Sequence, residues 1–204
     1  MFNVIRLIDV AEGAQRGRLL EDLRATAADS CAVRSLVQPT LPGVRNGGDI
    51  LMHLRFDTAD QWCSAATAFD SLLDAPEVTR INGAAYAGGP VSARDIPATV
   101  YRTLLLRVQP DTADATVARF EDDLRLLPRY VTSIATWQLS PVDSAVGTSA
   151  WTHVFEQEFR DLDGLTGPYL MHPIHWAYVD RWFDPECPEV IVRDRVCHSF
   201  CANG

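Results

Sequence analysis

The sequence contains no lysine, so all 18 of its basic residues are arginines. A lysine Schiff base, pyridoxal phosphate bound in its usual way and a phosphate-binding loop with its lysine are therefore excluded. Acidic residues outnumber the arginines, and the net charge is −9. This charge argues against nucleic acid and anionic membrane surfaces as partners, because both bind to clustered positive charge.

Long apolar runs are also missing from the sequence. No stretch approaches the roughly 20 residues that a membrane-spanning helix needs, and the N-terminus has a strand pattern without the features of a signal peptide. We therefore expect a soluble, cytoplasmic protein. The five cysteines are odd in number and irregularly spaced, which favours free thiols. Because the spacing from Cys197 to Cys201 matches no zinc pattern, we expect no metal.

The two halves of the chain have a similar order of predicted elements. Residues 18–25 align with residues 119–126 with four identities, and each half has the pattern strand, helix, strand, strand, helix, strand. This order predicts an α+β fold of two tandem ferredoxin-like βαββαβ units. Each sheet would cover the open face of the other, which predicts an intramolecular dimeric α/β-barrel. Such an internal pseudo-dimer could pair further as a homodimer.

The hydrophobic pattern and the turn residues predict the limits of these elements and domains. In the first half, we expect strands at 2–10, 31–41, 49–56 and 78–86 and helices at 14–28 and 59–73. In the second half, we expect strands at 101–108, 130–139, 151–159 and 189–196, a helix capped by Asp111 and ended by Pro128, and helical material at 162–183. The predicted domains are 1–88 and 99–204, joined by a linker at 89–98 that is rich in turn-forming residues.

The most unusual local sequence is Y-L-M-H-P-I-H-W at 169–176. Pro173 suits the first position of a helix with His172 as its cap, which places His175 in the first turn. The free N–H groups there disfavour an imidazolium, so His175 is predicted to be neutral and available as a base. The residues alone leave open that these histidines are structural. Glycine and proline just before Tyr169 predict a short or broken helix, either a plain loop or a movable lid.

Residues 100–200 resemble the stress-responsive dimeric α/β-barrel (Dabb) family through W-T-H-V-F-E-Q-E-F at 151–159 and Y-x-x-H-P-x-H at 169–175. The resemblance is to the plant polyketide cyclases of that family, which use neither metal nor organic cofactor. It implies catalytic roles for Tyr169 and His175 and a further pocket histidine at His153. Arg102 stands where those enzymes have another histidine, and it would hold a carboxylate or thioester oxygen or make a surface ion pair. The first half shares only the layout, so one site per chain is expected.

The leading hypothesis is a cofactor-independent, polyketide cyclase-like enzyme acting on a hydrophobic poly-β-ketone. His175 would remove a proton next to a carbonyl, Tyr169 would donate to the enolate oxygen, and His153 would orient the substrate or relay a proton. The expected substrate contacts are Arg102, Trp151, Phe155, His172, Trp176 and Trp182. Two alternatives stay open: a ligand-binding, stress-responsive protein without catalysis, and a monooxygenase with the same barrel.

Overall fold

The structure is a computed structural model of the chain, and it describes residues 1–193 and 196–204. The first half contains, in chain order, β1 (Phe2–Val10), α1 (Arg16–Asp29), β2 (Arg34–Pro39), β3 (Ile50–Phe56), α2 (Ala59–Leu73) and β4 (Val78–Ala87). The second half contains β5 (Val91–Ser92), β6 (Val100–Leu106), α3 (Asp114–Tyr130), β7 (Ile134–Pro141), β8 (Ser144–Val146), β9 (His153–Phe159) and, at its end, β10 (Val196–Ala202). No helix among the described residues is long and apolar enough to cross a membrane.

An irregular helical segment, residues 162–182, lies between β9 and β10. It consists of a short helix, two π-helical turns and a 3₁₀ turn: Leu162–Gly164, Leu165–Tyr169, His175–Val179 and Asp180–Trp182. The first π-helical turn contains Pro168, which has no N–H to donate. The segment is therefore helical but irregular, close to the expectation of a short or broken helix.

The strands form two five-stranded antiparallel sheets with the orders β2-β3-β1-β4-β8 and β10-β6-β9-β7-β5. The four long strands of each sheet have the same relative order, which is that of a ferredoxin-like unit. One short strand crosses between the halves, since β8 of the second half pairs with β4 of the first, whereas β5, which lies in the predicted linker, pairs with β7 of the second half. The second half therefore adds β8 as an edge strand to the sheet of the first half.

The buried apolar residues form three clusters. One lies between the first sheet and its helices α1 and α2, and another between the second sheet, α3 and the helical segment. The third contains residues of both sheets, such as Ile5 and Ala84 from the first and Leu105 and Val154 from the second. The sheets therefore face each other, with helices on the outer faces. This is the predicted α+β architecture, and the shared cluster fits an internal dimeric barrel.

Helix α2 has the predicted bounds because its first turn is capped by side chains. Thr58 Oγ1 accepts a hydrogen bond from the Gln61 N–H, and Gln61 Oε1 accepts one from the Thr58 N–H, each at 3.3 Å. This reciprocal arrangement satisfies two backbone donors that a helix start leaves free.

The predicted limits of α3 were wrong at both ends. Asp111 does not cap the helix: it has a φ of 66° in the preceding turn, and the N-cap is Ala113 without a side-chain hydrogen bond. The helix also continues through Pro128 to Tyr130. The Arg94 guanidinium donates to the Pro128 and Val131 carbonyls at 2.9 Å, and these bonds satisfy carbonyls at the helix end. Strand β7 consequently begins at Ile134, later than predicted.

The last strand was also placed wrongly. It was predicted at 189–196, but β10 spans Val196–Ala202 and pairs with β6 along its whole length. The apolar run at 190–192 packs instead without strand structure, with Ile191 and Val192 hydrogen-bonded to the Trp182 carbonyl. Side chains of β10, including His198, therefore belong to the second sheet.

Candidate functional site

A cavity of about 490 Å³ opens between β6, β10 and the helical segment. This volume lies within the range of small-molecule sites. The cavity is lined by Gly43, Arg45, Arg102, Leu104, Leu124, Tyr169, Leu170, His175, Val179, Asp180, Phe183, Val196 and His198. The structure thus brings together three residues that the sequence singled out, which are Arg102, Tyr169 and His175.

Arg102 lies on β6, on the face that is covered by helices, and is only 4% exposed. Its Nε donates to His198 Nε2 at 2.9 Å, and its Nη1 donates to the Tyr169 hydroxyl at 2.9 Å and to Gln157 Oε1. The alternative of a surface ion pair is therefore wrong, since the side chain is buried and bonded to uncharged groups.

Tyr169 ends the first π-helical turn and is fully buried. Burial raises the pKa of Tyr169, so the phenol is neutral. The phenol oxygen accepts from Arg102, which leaves the hydroxyl hydrogen free to be donated. The ring meets His175 edge to face, with centroids 5.2 Å apart. A polarised hydroxyl and an imidazole therefore lie side by side.

His175 begins the second π-helical turn, with its Nδ1 3.0 Å from Asp180 Oδ1. Burial lowers the pKa of His175, Asp180 raises it, and the Arg102 charge lowers it. The imidazole is thus neutral near pH 7. Nδ1 lies at ion-pair distance from this carboxylate but outside regular hydrogen-bond geometry, and a proton on Nδ1 would leave the lone pair on Nε2 to accept another.

His198 and Arg45 complete the polar part of the cavity. Burial lowers the pKa of His198 to about 3, with smaller effects from the Arg102 and Arg45 charges. The Arg102 Nε–H can only donate, so His198 Nε2 must be unprotonated. Arg45 comes from the loop between β2 and β3, and its backbone pairs with that of His198 at 2.9 and 2.8 Å. The first half therefore contributes to the cavity and is more than a scaffold.

His153 does not line this cavity. Its Nε2 lies 3.3 Å from Glu121 Oε1, and its Nδ1 lies 2.9 Å from Thr152 Oγ1. It borders a separate depression of about 270 Å³ at the other end of β9. The expectation that His153 would orient the substrate or relay a proton in this cavity was therefore wrong, because the pattern on β9 gave the face of His153 but not its distance from the site.

His172 and Trp176 also lie outside the cavity lining. His172 Nδ1 accepts a hydrogen bond from the Ile174 N–H at 3.2 Å, so it caps the turn that begins at Pro173, as its position before a proline predicts. Trp176 is 55% exposed, and its indole N–H donates to the Leu170 carbonyl. The substrate contacts expected from these two residues are not supported.

Trp151, Phe155 and Trp182 are core residues, not cavity walls. Trp151 lies in the cluster between the sheets, because β9 begins only at His153 and the strand alternation does not extend back to it. Phe155 and Trp182 are buried in the cluster beneath α3. The apolar walls are instead Leu104, Leu124, Val179 and Phe183.

Three polar residues of the cavity were not predicted to belong to it: Asp180, His198 and Arg45. Asp180 is five positions from His175, a spacing at which side chains meet in a π-helix but diverge in an α-helix. His198 was hidden by the misplaced last strand. Arg45 had a usable signal, since Gly43, Gly47 and Gly48 mark its loop as a turn.

Residues 100–197 match the model of the stress responsive A/B barrel domain, Dabb. The second half of the chain is therefore similar to this family over nearly its whole length. The region that matches the Dabb model supplies nearly all of the cavity, while the first half supplies Gly43 and Arg45. No curated protein matches the sequence.

Solved structures with the same fold extend over both halves. An anthrone oxidase-like protein aligns with a TM-score of 0.71 and 10% identity, covering 98% of this chain and 90% of the other. A monooxygenase-like protein from Fusobacterium nucleatum aligns with a TM-score of 0.61 and 11% identity, covering 100% and 94%. One from Lactobacillus acidophilus has a TM-score of 0.58 and 10% identity, covering 100% and 96%. At these identities, the similarity shows that the fold is shared, and it covers both halves of the chain.

Proposed function

We propose that the protein is a cofactor-independent enzyme that removes a proton from carbon next to a carbonyl, as in aldol-type cyclisation of a β-keto substrate. The observation that carries the proposal is the contact of His175 with Asp180 on one side and Tyr169 on the other within a single cavity. The pattern of Tyr169 and His175 also resembles that of olivetolic acid cyclase within the Dabb family.

His175 has the properties of a general base. Its imidazole is neutral, and the carboxylate at Nδ1 stabilises the positive charge that forms when Nε2 takes a proton. Since Asp180 opposes the effect of burial, it keeps His175 basic enough to act near neutral pH.

Tyr169 and Arg102 can stabilise the negative charge that develops on the substrate oxygen. The Tyr169 hydroxyl donates to the enolate oxygen, and the Arg102 bond to the phenol oxygen makes this hydroxyl a stronger donor. The buried guanidinium adds a positive charge next to the forming enolate. The proton thus moves from substrate carbon to His175, and the electron pair moves to an oxygen beside two donors.

The experiment is hydrogen–deuterium exchange at the acidic carbon of a β-keto ester, followed by NMR against the buffer-catalysed rate. The wild type is expected to accelerate exchange, His175→Ala to lose the acceleration, and Tyr169→Phe to lose at least tenfold. His172→Ala is the matched control, because this histidine of the same motif lies outside the cavity. If His175→Ala still accelerates exchange, or if the wild type does not accelerate it, the proposal is excluded and ligand binding without catalysis is favoured.

A second candidate is favoured by the fold shared with anthrone oxidase-like and monooxygenase-like proteins. A carbanion formed by the same base could react with dioxygen instead of an internal carbonyl. Oxygen uptake during turnover of a carbon acid such as anthrone distinguishes the two, since a cyclase consumes none.

A further inference from the structure

Arg102 is a buried cation without an anionic partner in the described parts of the chain. Its three hydrogen-bond acceptors are His198, Gln157 and Tyr169, all of them uncharged. None of the ion pairs among residues 1–193 and 196–204 includes it. A buried charge without a counter-ion is costly, and it is normally retained where something else supplies the opposite charge.

The Arg102 guanidinium has N–H donors that are not used in these hydrogen bonds. Its Nε and Nη1 are used, while its Nη2 makes no hydrogen bond to another described residue. Each N–H group of Nη2 can donate to a carboxylate oxygen, and such charge-assisted hydrogen bonds are stronger than those to neutral acceptors.

The other charges around the cavity leave it positive. Arg45 stands at the exposed mouth, and its side chain forms no ion pair among the described residues. Asp180 is the only acidic residue in the described lining, and its carboxylate contacts His175. His198 is held unprotonated by the bond from Arg102. Two arginines thus face one aspartate that already has a partner.

The geometry points to a carboxylate subsite: the cavity binds an organic acid whose carboxylate lies between Arg102 and Arg45 and whose apolar body lies against Leu104, Leu124 and Phe183. This inference deepens the proposed function, since it names the substrate class for the same cavity, an apolar carboxylic acid carrying the reactive ketone. Arg102 would hold the acid, while Tyr169 and His175 would face its acidic carbon.

The test compares two probes of equal size, 5-phenylpentanoate and 5-phenylpentanamide, by isothermal titration calorimetry. The wild type is expected to bind the acid at least tenfold more tightly than the amide. Equal affinity for the two in the wild type would overturn the inference without the need for any variant.

Variants then locate the subsite. Arg102→Gln is expected to lose the preference for the acid, Arg45→Gln to reduce it about threefold, and Arg18→Gln, an exposed arginine on α1, to leave it unchanged. A preference that Arg102→Gln and Arg45→Gln both retain would place the acid elsewhere and refute the subsite.

The subsite and the catalytic proposal fail separately. His175→Ala is expected to keep the preference for the acid while losing hydrogen–deuterium exchange. If the wild type accelerates hydrogen–deuterium exchange but shows no preference for the acid, only the carboxylate subsite is refuted. If the wild type prefers the acid but does not accelerate exchange, only the catalytic proposal is refuted.

Discussion

His175 Nδ1 lies 3.0 Å from Asp180 Oδ1, although the two residues are five positions apart on one helical segment. In an α-helix, five positions rotate a side chain by about 140°, so the two would diverge. The π-helical turn brings them together, and the Asp180 N–H donates to the His175 carbonyl across this turn. The irregular helix is therefore what gives the imidazole its carboxylate partner.

Asp180→Asn is expected to lower the pKa of His175, because the carboxylate raises that pKa against the effects of burial and Arg102. The acid limb of the exchange-rate profile should move to lower pH, and the maximal rate should fall at least tenfold, since the protonated base loses its stabilising charge. An NMR titration of the His175 Cε1–H measures the pKa directly. Asp163→Asn, an exposed change on the same segment, is the control and should leave it unchanged. An unchanged pKa in Asp180→Asn would show that the contact has no electrostatic effect.

Asp123 anchors the end of the helical segment to α3. Its Oδ2 accepts from the Trp182 indole N–H at 2.9 Å and from Arg181 Nη2. Asp123→Asn removes the buried charge that Arg181 faces, so we expect a loss of about 2–3 kcal/mol in the free energy of unfolding. Urea denaturation measures this loss.

Asp122→Asn is the matched control for Asp123. The Asp122 side chain is 76% exposed and pairs with Arg125 on the same helix, an arrangement worth about 0.3–0.5 kcal/mol. Equal losses in the two variants would mean that Asp123 does not anchor the segment.

The order of elements along both halves was predicted from hydrophobic periodicity, because β1, β3 and β6 are largely apolar runs bounded by turns. Tyr169 and His175 were found because a proline and two histidines make their motif distinctive. His153 shows the limit of such reasoning, since strand alternation predicts a face but not which end of the sheet holds the cavity. The places of Asp180 and His198 in the cavity could not be predicted, because they depend on the pitch of a helix and the position of a strand, which are set by tertiary packing.

His53 makes the stability of the protein dependent on pH. It is fully buried between the sheets, with Nε2 3.3 Å from Asn3 Oδ1 and 3.6 Å from Glu156 Oε2. Burial lowers the pKa of His53 to about 4 from its ordinary 6.5. Between these values the unfolded chain binds more protons than the folded one, so stability is complete above pH 6.5 and falls as the pH falls towards 4.

The expected contribution of His53 is a loss of about 2 kcal/mol between pH 7.5 and pH 5. Urea denaturation at both pH values measures the total loss, and His53→Gln should reduce it by that amount. The remainder includes His198, whose pKa is lowered to about 3. A variant with the same loss as the wild type would show that His53 is not the titrating group.

Gly47 allows the loop that carries Arg45 to lie against β10. A Cβ at position 47 would come within 2.7 Å of the His198 carbonyl oxygen, and Ser199 Oγ already donates to the Gly47 carbonyl at 2.7 Å. Because the obstacle is backbone, Gly47→Ala must push the loop away from the strand, and we expect it to cost about 1–3 kcal/mol of stability. The displacement would also move Arg45 from the cavity mouth.

Gly17→Ala serves as the control, because it is expected to increase the stability of the protein. Gly17 lies within α1 with no atom in the path of an added Cβ, so alanine should stabilise the helix by about 0.5–1 kcal/mol. Differential scanning calorimetry measures the thermal unfolding of both variants.

If the close contact of the loop with β10 positions Arg45, Gly47→Ala should also weaken binding of 5-phenylpentanoate while leaving binding of 5-phenylpentanamide unaffected. If Gly47→Ala is destabilised but binds the acid normally, the packing of this loop does not position Arg45. If Gly47→Ala is as stable as the wild type, the loop does not depend on its close contact with β10.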